Sequence, residues 1–181
     1  MDPNAANNGE FVLKAIAQSE TRRAPPDYSK DFETLEKMEW AFSKGDVNFF
    51  KIVFDRRPSL LLRIHAVCML ADMKDERAVP VLCETLKEDP SPLVRHEAAF
   101  SLGQLEFKSA VSALMDAMAN DESVLVRHES AVALGSIGDE TARPGLIDRL
   151  QDADEDVRLS AEVALADLDF LERLRSRTSR R

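Results

Sequence analysis

The sequence predicts an all-α protein, a short α-solenoid built from stacked helical hairpins. Two observations predict this fold class. A pattern of residues recurs about every 32 positions along the chain, and the apolar residues inside each recurring unit follow helical spacing. The composition agrees, because only six of the 181 residues are glycine and 6% are aromatic. Units of this kind bury their apolar faces only by stacking on their neighbours, so we expect one continuous core.

Each unit is marked by an aliphatic residue followed by an arginine, and we call these four arginines the register arginines. The marker pairs are Leu62-Arg63, Val94-Arg95, Val126-Arg127 and Val157-Arg158. A leucine follows each marker at the same distance, at positions Leu70, Leu102, Leu134 and Leu165. This agreement predicts that the four units share one structure.

Two antiparallel helices are predicted in each unit. In the second unit, the first helix is indicated by Leu93, Val94, Ala98, Leu102 and Leu105, and the second by Ala110, Val111, Leu114 and Met118. Ser91 is expected to cap the first helix, with Pro92 at its first position, and Ser123 to cap the equivalent helix of the next unit. Pro80 and Pro144 lie near the predicted starts of second helices.

The chain divides into four predicted segments. They are a flexible N-terminal arm over residues 1–30, a degenerate capping hairpin over 31–58, the repeat domain over 59–170 and a basic tail over 171–181. The capping hairpin is predicted from Asp31–Lys44 and Asp46–Arg56, with Gly45 between them. The arm is expected to be mobile or to dock on a partner chain, and the tail to be solvated or to bind an acidic partner.

Composition excludes several classes of function. The net charge of -9 and the pI near 4.9 argue against nucleic-acid binding, which needs a basic face, whereas a cationic ligand would be tolerated. No segment approaches the roughly 20 apolar residues of a membrane span, and the N-terminal sequence does not resemble a signal peptide, so we expect a cytoplasmic protein. Cys68 and Cys83 lack CxxC spacing and are expected to be buried thiols in a reducing compartment.

The chemically informative feature is a repeated His-Glu pair. It follows the register arginine in the second and third units, as His96-Glu97 and His128-Glu129. The two histidines are expected on one face of neighbouring helices, about 8–10 Å apart, where they could share one metal ion. His65 in the first unit is one position out of step and is expected to be structural.

Neither glutamate has a cation three or four residues away on its own helix. A buried carboxylate without a partner costs several kcal/mol, so a positive group should lie nearby. The candidates are an imidazolium from His96 or His128, an arginine from another element, or a metal ion. Two imidazoles and one carboxylate are the ligand set of non-haem ferrous iron. The alternative is that these are ordinary semi-buried helix residues copied with the repeat.

Three segments resemble the HEAT-like repeats of deoxyhypusine hydroxylase. They are LVRHEAAFSLGQ at 93–104, LVRHESAVALGSIG at 125–138 and DVRLSAEVALADL at 156–168, and the similarity covers roughly residues 59–170. The valine-arginine, the alanines and the leucine-glycine are general to such repeats. The His-Glu pair after the arginine, in consecutive repeats, is the more specific part.

The resemblance implies iron chemistry. That family holds two irons between two halves of a solenoid and uses dioxygen to hydroxylate a polyamine-derived side chain on a translation factor. Carried over, His96, His128 and Glu129 would bind iron, and Glu97 would bind substrate or support the ligands. The family carries four His-Glu pairs and this chain two, so the resemblance predicts a homodimer in which each protomer supplies one iron.

Two classes of function stay open at this stage. One is a non-haem iron oxygenase acting on a protein or a small cationic substrate, or a related oxygen or metal sensor. The other is a non-catalytic scaffold, since helical solenoids often serve as adaptors and these repeats also resemble those of phycobilin lyases. Metal content would discriminate between the two.

Overall fold

The computed structural model describes residues 29–178, and in this part of the chain it contains nine α-helices and no strand. The helices are α1 (Ser29–Ser43), α2 (Val47–Arg56), α3 (Leu60–Asp72), α4 (Val79–Glu88), α5 (Pro92–Leu105), α6 (Val111–Asn120), α7 (Val124–Ile137), α8 (Arg143–Arg149) and α9 (Glu155–Thr178). A 3-10 turn precedes each of α4, α6 and α8. The predicted all-α solenoid is confirmed.

The helices form two layers. The first helices of successive units, α3, α5, α7 and α9, pack side by side, and the second helices α4, α6 and α8 form the other layer. The closest packing between layers joins the second helix of one unit to the first helix of the next. The core between the layers therefore runs through the whole stack, as expected for units that cannot bury their apolar faces alone.

The leucines that follow the four register arginines lie in this core or pack against it. Leu70, Leu102 and Leu134 are fully buried, whereas Leu165 is only partly buried and Leu168 is the fully buried leucine of α9. At the other end, α1 and α2 are consecutive helices, with Gly45 between them in the left-handed conformation.

Helices α5 and α7 begin where the sequence predicts, with Ser91 and Ser123 at their N-cap positions. Neither serine hydroxyl accepts a hydrogen bond from its helix, however, so the predicted side-chain caps are absent. Instead, a carboxylate two residues upstream organises each turn. Asp89 accepts a hydrogen bond from the Ser91 amide at 2.9 Å, and Asp121 from the Ser123 amide at 2.8 Å. The second helices α4 and α8 contain proline in their first turn, as expected.

Three of the four register arginines join the turns of adjacent units, whereas Arg158, within the described residues, bonds only to carbonyls of the turn before its own unit. Arg95 donates from Nη1 to the Asp89 carbonyl at 2.9 Å, and from Nε and Nη2 to the Asp121 carboxylate at 2.8 and 2.9 Å. The hydrogen bonds to Asp121 hold the pKa of Arg95 above its usual value. Arg63 and Arg127 repeat the arrangement with Asp89 and Asp152. Each of these three arginines therefore connects the turn before its own unit to the turn after it.

The predicted N-terminal arm lies almost entirely outside the described residues. At the opposite end, residues 171–178 of the predicted basic tail continue α9, and Arg175 donates a hydrogen bond to the Gly138 carbonyl at 3.0 Å. Among the helices of residues 29–178, none is long and apolar enough to span a membrane.

Candidate metal centre

Two glycines allow neighbouring first helices to approach closely, α5 to α7 and α7 to α9. A Cβ atom at Gly103 of α5 would lie 2.9 Å from the Cα of Ala133 on α7, and one at Gly135 of α7 would lie 2.9 Å from the Cα of Ala164 on α9. Real Cβ atoms essentially never come so close to another backbone. The absence of a side chain at these positions therefore allows side chains on neighbouring first helices to touch.

His96 and Glu129 meet across this interface. The Nε2 atom of His96 on α5 lies 3.3 Å from Oε2 of Glu129 on α7. Glu129 is buried, with 8% of its surface exposed, whereas His96 is partly exposed. Of the candidate partners predicted for this carboxylate, the imidazole of His96 is the one that lies beside it.

His128 contacts the first helix of the next unit, but through its other ring nitrogen. Its Nδ1 atom lies 2.6 Å from Oγ of Ser160 on α9, and the same Oγ donates to the Asp156 carbonyl at 2.6 Å. Ser160 has the register position in its unit that Glu129 has in the preceding one. Each histidine is therefore held by the second residue after the next register arginine.

Glu97 is held by a thiol. Cys68 on α3 donates from Sγ to Oε1 of Glu97 at 3.4 Å. Burial, together with the neighbouring Glu97 carboxylate, raises the pKa of Cys68 to about 11, so the group is a neutral thiol near pH 7. The sequence pattern did not predict this contact. Aligning the repeats nevertheless gives Cys68 the same position as Phe100 and Val132, on the face of the first helices that carries His96 and His128, which we call the histidine face.

The cysteines differ from expectation in one respect. Cys68 and Cys83 are both free, as predicted, but they are partly rather than fully buried. Burial raises the pKa of Cys83 to about 11 as well.

His65 lies apart from these contacts, with its Nε2 atom 3.8 Å from Glu39 in an exposed pair.

The structure does not bring the three predicted ligands together in one group. Within the described range 29–178, no three His, Cys, Asp or Glu side chains come together in a way that could hold a metal ion. The structure brings His96 and Glu129 together and places His128 one helix further along, on Ser160. Glu97 faces the opposite neighbour, α3.

The histidine face is rimmed by uncovered apolar side chains. They lie one turn before or after the histidine position on α5, α7 and α9, or at that position itself, and are 38–61% exposed: Leu93, Phe100, Leu125, Val132, Leu159 and Val163. We call this set the apolar rim. Beside it, a groove of about 720 Å³ is lined by Glu129 and Phe100 and extends to Asp72 and Lys74 at the end of α3.

The helical repeats and their spacing define the class of protein. The HEAT repeat family matches residues 79–166, and the chain is a HEAT-like repeat protein. More particularly, it resembles the solved structure of human deoxyhypusine hydroxylase in complex with glycerol, with 35% sequence identity and a TM-score of 0.65. This confirms the resemblance that the His-Glu repeats indicated.

The match to the human enzyme is partial in both directions. It covers 69% of this chain and 44% of the human chain, so this chain spans less than half the length of the enzyme it resembles. No curated protein sequence matches the chain significantly.

Proposed function

We propose that this protein binds iron and is a non-haem oxygenase similar to deoxyhypusine hydroxylase, with His96, His128 and Glu129 as the ligands. The observation that carries the proposal is the pair formed by His96 and Glu129, at 3.3 Å, between first helices of adjacent repeats. The likeness to a hydroxylase whose sequence is 35% identical supports it independently.

The geometry of this pair fits a shared ion. Nitrogen and oxygen ligands lie about 2 Å from a transition-metal ion, so two neighbouring ligand atoms lie about 3 Å apart. An imidazole and a carboxylate also belong to the donor set that ferrous iron prefers. A cation at this place would compensate the charge of the buried Glu129 carboxylate. Bound iron would supply the activation of dioxygen.

Glu97 is proposed to bind the substrate. Its Oε1 atom accepts a hydrogen bond from the neutral Cys68 thiol, which does not compensate the carboxylate charge. A cationic group of a substrate could do so, in keeping with the net charge of -9. The groove lined by Glu129 could hold another part of such a substrate.

A second copy of the chain is proposed to complete the centre. One protomer carries two His-Glu pairs and matches 44% of the human enzyme chain. The apolar rim would be covered if two histidine faces met around a two-fold axis, since the same patch then serves on both sides. Each protomer would hold one iron, and a two-iron centre would lie between the copies.

Metal analysis tests the proposal. Protein purified without chelator, or loaded anaerobically with ferrous iron, is expected to hold about one iron per protomer. His96→Ala and His128→Ala should lose it, whereas the matched control His65→Ala, at an exposed histidine outside the site, should retain it. Failure of the wild-type protein to bind iron even after anaerobic loading would contradict the proposal and favour a non-catalytic adaptor that uses the apolar rim to bind another protein.

A further inference from the structure

Ser160 makes two short contacts that together restrict the protonation of His128. Its Oγ atom lies 2.6 Å from the Asp156 carbonyl oxygen and 2.6 Å from Nδ1 of His128. A hydroxyl has one proton to donate, and a carbonyl oxygen can only accept. If the proton goes to Asp156, Oγ must accept a hydrogen bond from His128.

The consequence is a defined tautomer of the ring. A neutral imidazole carries one N–H, and when that proton is on Nδ1, the other nitrogen, Nε2, carries the free lone pair. A metal ion binds through such a lone pair. Histidines that ligate metals usually donate their other N–H to an oxygen, which fixes the ring and strengthens the ligand.

The hydroxyl of Ser160 is itself held firmly. The residue is 6% exposed, so water has little access to it. Its bond to the carbonyl four residues earlier is formed within α9 and fixes the direction of the hydroxyl. The support for His128 therefore comes from the first turns of the next helix.

The two histidines are held through different nitrogens. His96 approaches Glu129 with Nε2, whereas His128 approaches Ser160 with Nδ1, although Glu129 and Ser160 share one register position. The last unit lacks a His-Glu pair, yet its serine stands where it can support the histidine of the unit before it.

We propose that Ser160 is a positioning residue that holds His128 in the Nδ1–H tautomer and thereby prepares Nε2 to bind a metal ion. The assignment of the tautomer stands on the contacts alone. Its effect on metal binding rests on the proposed function.

The tautomer is tested in metal-free protein, by ¹⁵N NMR of the histidine rings near pH 8, where free imidazoles are neutral. The His128 signals are identified by their loss in His128→Ala. We expect protonated Nδ1 and unprotonated Nε2 in the wild type, and a shift of the proton toward Nε2 in Ser160→Ala. An Nε2–H ring in the wild type, or an unchanged ring in Ser160→Ala, would overturn the inference whether or not the protein binds iron.

The second measurement is the affinity for ferrous iron. Ser160→Ala is expected to weaken it by about 10–100-fold. Ser176→Ala is the matched control, because Ser176 makes the same bond to the carbonyl four residues earlier on the same helix but is exposed. It should leave the affinity unchanged, and both variants should unfold near the wild-type denaturant concentration.

The outcomes separate the two proposals. If the wild type binds iron and Ser160→Ala binds it equally well, the positioning role is wrong while the metal centre stands. If the wild type binds no iron, the proposed function is wrong and the NMR experiment alone decides the tautomer.

Discussion

Glu129 is buried, and its carboxylate lies beside the imidazole of His96. Sequence reasoning identified the glutamate and offered three kinds of positive partner. It could not choose among them, because the choice depends on how closely α5 and α7 approach each other. The same limit applies to Glu97, whose thiol partner comes from a helix 29 positions earlier.

A double-mutant cycle on metal-free protein tests the pair directly. His96→Ala, Glu129→Gln and the double variant are expected to show a coupling energy of about 1–3 kcal/mol, since the first change leaves a buried carboxylate without its partner. The exposed pair of His65 and Glu39 is the control and should couple by less than about 1 kcal/mol. Urea unfolding supplies all the values. Equal coupling energies in the two cycles would show that the buried pair stabilises the fold no more than the exposed pair does.

Acid stability should depend on Asp139. Hydrogen bonds from the Thr141 backbone amide and the Lys108 ammonium lower its pKa from 3.8 to about 2 in the folded protein. A lowered pKa means that its stabilising contribution is present above about pH 4 and is lost as the pH falls through about 2. The difference in unfolding free energy between wild type and Asp139→Asn should therefore shrink over that range. A difference that stays constant down to pH 2 would contradict this assignment.

The helices themselves could be predicted well, because their 3.6-residue apolar period is a local property of the sequence. The cap positions could be predicted as well, but the side-chain hydrogen bonds at the caps could not. Ser91 is the N-cap residue of α5, yet its hydroxyl accepts no hydrogen bond from the helix, and its own amide donates to Asp89. The close approach of α5 and α7 could not be predicted from the sequence either, because a glycine within a predicted helix does not indicate which neighbouring helix it contacts.

Replacing Gly103 by alanine should destabilise the protein by about 1–3 kcal/mol, although alanine favours helices intrinsically. The new methyl group would collide with Ala133 and separate α5 from α7, so iron affinity should fall as well. Gly145→Ala is the control, because its methyl group would meet only the flexible ends of Met115 and Met118. Urea unfolding and iron titration check both variants. A Gly103→Ala protein as stable as the wild type would contradict this prediction, because it would show that α5 and α7 can move apart without loss of unfolding free energy.

Across the whole molecule, three of the four register arginines, Arg63, Arg95 and Arg127, link successive turns. The repeat made these four positions obvious, but their partners were not predictable, because Asp89, Asp121 and Asp152 lie in turns whose conformation the sequence pattern leaves open. The number of His-Glu pairs likewise indicates half of a two-metal protein without showing how the halves meet.

Arg95→Met should destabilise the stack by about 3–5 kcal/mol, because it leaves the Asp121 carboxylate, whose side chain is only 9% exposed, without its cationic partner. Adding Asp121→Asn should recover part of the loss, since the amide oxygen can still accept the Ser123 amide while the charge is removed. Arg77→Met, at an exposed pair with Asp75, is the control and should cost less than about 1 kcal/mol. If the double variant is no more stable than Arg95→Met, the buried charge is not the cause.

The most direct test of the central claim is to measure molar mass and metal content on the same chromatographic peak, by light scattering and elemental analysis. The proposed centre predicts a dimer with about two irons, and iron-free protein from His128→Ala and Glu129→Gln. Those variants should keep the wild-type helical content, because the changes lie on the histidine face and not in the leucine core. A monomer carrying iron would contradict the two-iron centre between copies, and an iron-free wild-type dimer would contradict the metal centre itself.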